Sequence, residues 1–368
     1  MMNSAAEANL FIYIFCDNFN FPTFVKFRAK MQNYTLKTNL PKIFLMLILA
    51  AWPYFSEAQQ KRKMVASGVN AEKIITEDRL KRNIEFLTDP QYNGRRTGTL
   101  GATEAAFWIA RKFQKDSLLP INGLWSQSFK AGEAVGHNII GFMSGRNDRD
   151  FQLYTIIAAH YDSYGMMNGT LYPGADSNAS GVVAMTSLAD MFTRMKQLNR
   201  TYGDNLIFVA LDAREVNSAG AEALWKALSA GELKNPVTGE AILPDKIHAF
   251  VSLDILGSTL SPLKKGRKDY LIMLSNGRFA ADLREANAKD GLGLDIALNY
   301  YGSESFTRMF HDKVGDQRIF VENGVPCAVF TSGITMNTNK PSDTAKTLNY
   351  NIFKKRIFLI FHWLTKMM

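Results

Sequence analysis

The stretch "LYTIIAAHYDS", residues 153–163, decides how the rest of the chain is read. An almost unbroken apolar run gives way abruptly to His160 and Asp162. A run this short, ended by polar residues, is the pattern of a strand buried on both faces, as in a parallel sheet. Similar runs occur in "HNIIGFM", "NLIFVALDA", "HAFVSLDILG", "DYLIMLS" and "CAVFTSG". Helical periodicity separates several of them, at 180–195, 219–230 and 278–288. Upstream, "TEDRLKRNIEFLTD" offers Thr76 as a cap and Leu80, Ile84 and Leu87 on one face, and "GATEAAFWIARKFQKDS" reads as a second helix. The alternation predicts one α/β domain, a three-layer sandwich whose mixed, mostly parallel sheet carries helices on both faces.

Composition sets the limits of that domain. With 46% hydrophobic residues in 368, the chain can bury a substantial core. The net charge of +9 is dispersed in short runs such as "QQKRKM" and "LKKGRKDY" without interleaved aromatic residues, which excludes a nucleic-acid partner. Near the N-terminus Lys37 and Lys42 precede an apolar run over 43–55 and then Ser56-Glu57-Ala58. That order is the one of a secretory signal peptide cut after Ala58, so the chain is expected to be exported, to the periplasm or outside the cell. The apolar run is shorter than the ~20 residues of a membrane-spanning helix, and this segment, if left uncleaved, is the expected membrane contact.

Residues 1–30 carry no targeting pattern, and either Met1 or Met31 can serve as the start. Residues 1–58 are therefore read as extension and signal, 59–75 as linker and 76–368 as the domain. Loss of five basic and three acidic residues with the signal leaves a net charge of +7. Cys327 in "GVPCAVF" is then the lone cysteine, a small core residue with no disulfide partner and no role in a cysteine metal site.

The residues at the strand ends carry the chemistry. His160 and Asp162, then Asp212, Arg214 and Glu215, then Asp254 stand at or just beyond three strand ends. In open α/β sheets ligand sites form outside the carboxyl ends of the strands, so these groups are expected to converge. One such Asp alone is a helix cap or a loop-fixing acceptor; three strand ends together point to a site. "YPGADSNASGVVAM", residues 172–185, adds a strand-to-helix loop containing Asp176 and Ser177.

The order "GRRTG", "GHNIIG", "AHYDS", "PGADSNASGV", "IFVALDAREVNSAGAEAL", "VSLDILG" and "GVPCAVF...NKPSDT" resembles the co-catalytic zinc aminopeptidases, whose family includes bacterial leucyl aminopeptidases and glutaminyl cyclases. The resemblance runs from about Thr76 to the C-terminus. It implies two zinc ions, hydrolysis of an N-terminal peptide bond, and a peptide or amino-terminal small molecule as partner. Carried over by position, His160, Glu215 and Asp254 are metal ligands and Asp162 orients the His160 imidazole from behind. Ser177 stands where the bridging Asp is expected, Arg214 where the general-base Glu is expected, and Asn339 where the last ligand His is expected.

These three replacements change the chemistry. A neutral hydroxyl cannot bridge two dications as a carboxylate does, a guanidinium is not deprotonated by water, and an amide oxygen is a harder donor than imidazole. Zinc is implied by the resemblance, while the residues present leave a chain without metal as the alternative. Two carboxylates lost and one guanidinium gained nearly balance the charge of two departed zinc ions, so Arg214 is expected in or beside the vacated position, paired with Glu215, Asp254 or Asp176. The chain reads either as a non-catalytic relative or as a one-metal hydrolase in which Asp176 substitutes as ligand, helped by Asp343 or Glu304. Otherwise Asp176 is a turn or cap residue for the helix near Ala179; "GRRTG" reads as a loop at the site rim or, with two arginines between glycines, as a solvated turn. "NYYGSESF", with Tyr300, Tyr301 and Glu304, is expected to pack against the sheet edge, although the resemblance implies a place near the pocket, and His137, His248, His311 and His362 match no ligand motif.

Overall fold

The computed structural model describes residues 74–146, 152–200, 202–275 and 279–368. The signal segment and all but the last two residues of the linker lie outside these. Helix α1 (Glu77–Leu87) starts at Thr76, whose side chain accepts from the Arg79 amide, and buries Leu80, Ile84 and Leu87. Helix α2 (Leu100–Lys115) comes next, capped by Thr99.

The strands are β1 (Leu119–Pro120), β2 (Ser126–Ala131), β3 (Ala134–Met143), β4 (Tyr154–His160), the hairpin pair β5 (Gly165–Met167) and β6 (Thr170–Tyr172), β7 (Asn205–Leu211), β8 (Ile247–Leu253), β9 (Tyr270–Ser275), β10 (Asp295–Ala297) and β11 (Cys327–Thr331). Interleaved are α3 (Ser180–Gln197), α4 (Ala219–Ser229), α5 (Ala280–Lys289), the short α6 (Glu304–Arg308) and α7 (Arg318–Glu322), and the closing α8 (Tyr350–Met367).

The main sheet runs β1-β3-β7-β4-β8-β11-β9-β10, with β2 added to β3. Its centre, β7-β4-β8-β11, is parallel, and antiparallel pairings flank it at β3/β7 and β11/β9. Alternate residues of β4 and β7 enter opposite cores. Ile157, Ala159, Phe208 and Ala210 face α1, α2, α3, α5 and α8, while Ile156, Ala158, Val209 and Leu211 face α4 and α7. Burial on both faces is the reason the central strands read as unbroken apolar runs. On the second face Phe320 of α7 stacks on Phe250 of β8 with ring centroids 4.0 Å apart.

Two arginines organise the first face from inside. "GRRTG" is no solvated turn at its first arginine: Arg95 is fully buried and donates to the carbonyls of Leu87, Tyr161, Pro173 and Gly174. Arg356 of α8, equally buried, donates to Tyr270, Leu256 and Ser258 and lies over the Tyr270 ring. Among the described residues no helix is long and apolar enough to cross a membrane.

The loop carrying Arg95 also presses on α2. A Cβ on Gly101 would run into the carbonyl oxygens of Tyr92 and Gly94. Gly101→Ala is therefore expected to lower stability by about 1–3 kcal/mol in spite of alanine's better helix propensity. A urea unfolding midpoint equal to or above that of the unaltered protein would contradict this close approach.

Candidate functional site

The carboxyl ends of β4, β7 and β8 bring His160, the segment 212–215 and Asp254 to one place. His160 is buried between two carboxylates. Its Nδ1 lies 3.3 Å from Oδ1 of Asp162 and its Nε2 3.6 Å from Oδ1 of Asp254. These are charge contacts without hydrogen-bond alignment, and His160 Nδ1, Asp162 Oδ1 and Asp254 Oδ1 have no hydrogen-bond partner. Burial opposes charging the imidazole, but Asp162 and Asp254 outweigh it and lift His160 to about 10. Reciprocally, burial would raise Asp254, yet His160 and then Arg214 hold it below the usual carboxylate range. The other oxygen of Asp162 accepts from the Glu215 amide at 3.1 Å, tying the β4 end to the β7 loop.

Both outgoing turns are strained. Ala213 and Ile255 adopt left-handed backbone, with φ of 59° and 55°. Such conformations cost of order 1–3 kcal/mol each and persist where surrounding bonds over-determine them. Ile255 is held through its amide to Asn178 Oδ1 and through its carbonyl to the Ser332 amide, and Ala213 through Asp212. Asp212 does not join the site: its carboxylate accepts from Thr97, from the His137 amide and from the Ala213 amide.

Arg214 finds a partner the sequence did not single out. Its Nε lies 3.9 Å from Oδ2 of Asp316, which precedes α7. Burial raises the Asp316 carboxyl and the Arg214 charge pulls it back. Asp254 and Glu215 lie within the electrostatic reach of Arg214, whereas the oxygens of Asp176 are taken up by the amides of Gly257 and Ser258 and the Ser180 hydroxyl. No motif marks Asp316 in "KVGDQRIF"; only the packing of the turn before α7 beside the β7 loop reveals it.

The loop 173–179 also departs from expectation. Asp176 caps no helix, and both of its carboxylate oxygens are already bonded. Oδ1 accepts from the Gly257 amide and the Ser180 hydroxyl, and Oδ2 from the Ser258 amide. Burial, then the Asp343 charge, raises this carboxyl to about 7. With both oxygens engaged by Gly257, Ser258 and Ser180, Asp176 is not free to substitute as a ligand. Asp343 is occupied in the same way by the amides of Asp176 and Ser177. Glu304 pairs with Arg308 on the surface. The Ser177 hydroxyl donates to Oδ1 of Asn339 at 2.8 Å, so the two substituted positions satisfy each other.

The donor set does not fit two zinc ions. The bridging position offers a hydroxyl already bonded, a guanidinium stands beside the remaining carboxylates, and among the described residues no group of three or more His, Cys, Asp or Glu is arranged to hold a metal. Nearby, Tyr300 is buried against Tyr270 and Val329, and its hydroxyl accepts from the Ile334 amide. Tyr164 feels Glu215, which, after burial, raises its phenol.

The sequence model of Peptidase family M28 matches residues 138–364. BOS complex subunit ncln of Danio rerio is 30% identical over 141 residues, covering 36% of this chain and 23% of that protein. The alkaline phosphatase isozyme conversion protein of Escherichia coli (strain K12) is 28% identical over 175 residues, 43% of this chain and 49% of that protein. The matches thus span less than half the length of these relatives. Among solved structures, BSAP, a zinc aminopeptidase from Bacillus subtilis, superposes with a TM-score of 0.58 at 14% identity, covering 79% of this chain and 95% of that one. Fimbriiglobus ruber glutaminyl cyclase superposes with a TM-score of 0.60 at 15% identity, covering 80% and 96%. At these identities the likeness is one of fold.

Proposed function

Because the chain belongs to peptidase family M28, we propose that it is an exported member in which hydrolysis of the N-terminal peptide bond has given way to binding of a peptide or amino-terminal small molecule. The carrying observation is Arg214 at the end of β7, 3.9 Å from Asp316, where a proton acceptor would be needed. A guanidinium cannot activate water, and the carboxylate beside it, Asp316, is paired with Arg214 itself. The Ser177 to Asn339 hydrogen bond supports the same reading. So does similarity to proteins named as subunits of a complex. Export rests on the sequence pattern over 31–58.

The test pairs zinc analysis of the purified protein with hydrolysis of leucine 4-nitroanilide, with and without added zinc or cobalt. The expected result is well under one zinc per chain and no hydrolysis above the buffer rate. Stoichiometric zinc, with turnover that survives Arg214→Ala and is lost in His160→Ala, would instead establish a one-metal hydrolase acting on peptides or another amide.

A further inference from the structure

Strands β8 and β11 finish at the same end of the sheet, and β9, antiparallel to β11, starts there. The loop 254–269 and the turn after β11 therefore share that end. Leu263 packs with Phe310 against the buried cluster of Tyr270, Tyr300 and Val329, and the Tyr301 hydroxyl donates to the Ser261 carbonyl at 3.3 Å. Phe306 stacks on Phe310, Phe310 on Tyr300, and the Tyr300 hydroxyl accepts from the Ile334 amide. These contacts fasten three loops into one rim, on which Leu260, Tyr301, Phe306, Ile334 and Met336 stand exposed. Phe306 is 54% exposed and Met336 75%. Beside them the turn 264–267 closes with the Arg267 amide on the Lys264 carbonyl, Gly266 supplying the φ of 80°. It presents Lys264, Lys265, Arg267 and Lys268, all exposed. Lys264 pairs with Asp295 and Arg267 with Asp269, whereas among the described residues Lys265 and Lys268 have no acidic partner. Glu304 on the rim is answered by Arg308.

Exposed apolar side chains grouped in this way mark a contact with a membrane or with a protein. Their arrangement favours the first. They stand singly on three loops and are flanked by unpaired lysines, which suits entry between lipid headgroups with the cations held at the phosphates. We propose that this rim docks on an anionic phospholipid bilayer, with Phe306 and Met336 entering the headgroup layer and Lys265 and Lys268 meeting its charge. The inference does not depend on whether the site binds or hydrolyses.

Cosedimentation of the full chain with vesicles of phosphatidylcholine alone, or with about 30% phosphatidylglycerol, tests the charge requirement. The anionic vesicles are expected to bind at least about tenfold more tightly, and Lys265→Gln with Lys268→Gln to remove most of that preference. Raising NaCl from about 0.05 to 0.5 M should weaken binding at least about fivefold. Because the apolar run 43–55 would itself hold lipid if retained, a second readout is placed on the rim. In a Cys16→Ser chain, whose Cys327 is buried, a nitrobenzoxadiazole dye on Met336→Cys is expected to shift to the blue with anionic vesicles. The same dye on Val237→Cys should not shift. Val237 is exposed beside Asn235, which bonds Tyr154 at the opposite end of the sheet. Equal binding to both vesicles, no shift at Met336→Cys or an equal shift at Val237→Cys would overturn the proposal. So would a lipid-free dimer, in sedimentation velocity, that Phe306→Ser dissociates, since a second copy would then cover the rim. The comparison of vesicles on the unaltered protein holds even if a variant fails to fold.

Discussion

Replacing Arg95 by methionine is expected to remove about 3–5 kcal/mol of folding stability, a large part of the ~5–15 kcal/mol of an ordinary domain. Four carbonyls, of Leu87, Tyr161, Pro173 and Gly174, accept from this one guanidinium at 2.6 to 2.8 Å. Methionine has similar length but no donor, so buried oxygens would be left unmatched. Part of the loss is offset because the buried charge no longer needs desolvation, the dominant influence that draws Arg95 down to about 10. Arg95→Lys should recover little, since one ammonium cannot span four acceptors. The exposed Arg96 is the internal control, with Arg96→Met changing stability by less than about 0.5 kcal/mol. Urea unfolding at pH 7 measures all three; a loss under about 1 kcal/mol for Arg95→Met would mean the loop is held by other contacts.

Stability is also expected to decline as pH rises from about 6.5 towards 10. The folded chain keeps a proton on His160 through this window because Asp162 and Asp254 overcome the cost of burial, whereas the unfolded chain releases it. The contribution is therefore complete below the unfolded pKa and is lost as pH passes through the folded one. Each pH unit in the window removes up to about 1.4 kcal/mol. Buried tyrosines such as Tyr270 and Tyr300 add to the loss only near and above pH 10, the range in which an unfolded phenol ionises. Comparing His160→Gln with the unaltered protein between pH 6.5 and 9 isolates the imidazole. The variant should be less stable at pH 6.5, with the gap narrowing by several kcal/mol by pH 9. A constant gap would show that His160 is not the group responsible.

Much of the scaffold is legible from residue order. The strands β4, β7 and β8 reveal themselves because burial on both faces removes the polar alternation. The β2/β3 hairpin escapes because β2 is half exposed and its mixed composition matches no buried-strand pattern. The closing helix α8 escapes for another reason. Its basic run at 354–356 interrupts the apolar periodicity, and nothing local tells that Arg356 is buried under three carbonyls while Lys354 and Lys355 are not.

At the site, the sequence alone settles which chemistry the side chains can perform. Ser177 carries no charge, Arg214 accepts no proton and Asn339 is no imidazole, wherever each lies. Tertiary structure decides what those groups do instead. It pairs Arg214 with Asp316, turns Asp176 towards the amides of Gly257 and Ser258, and lets Ser177 and Asn339 satisfy one another. The physical reason is that protonation and donor capacity belong to a residue type, whereas Coulomb attraction and hydrogen bonding depend on separations between segments far apart in the chain.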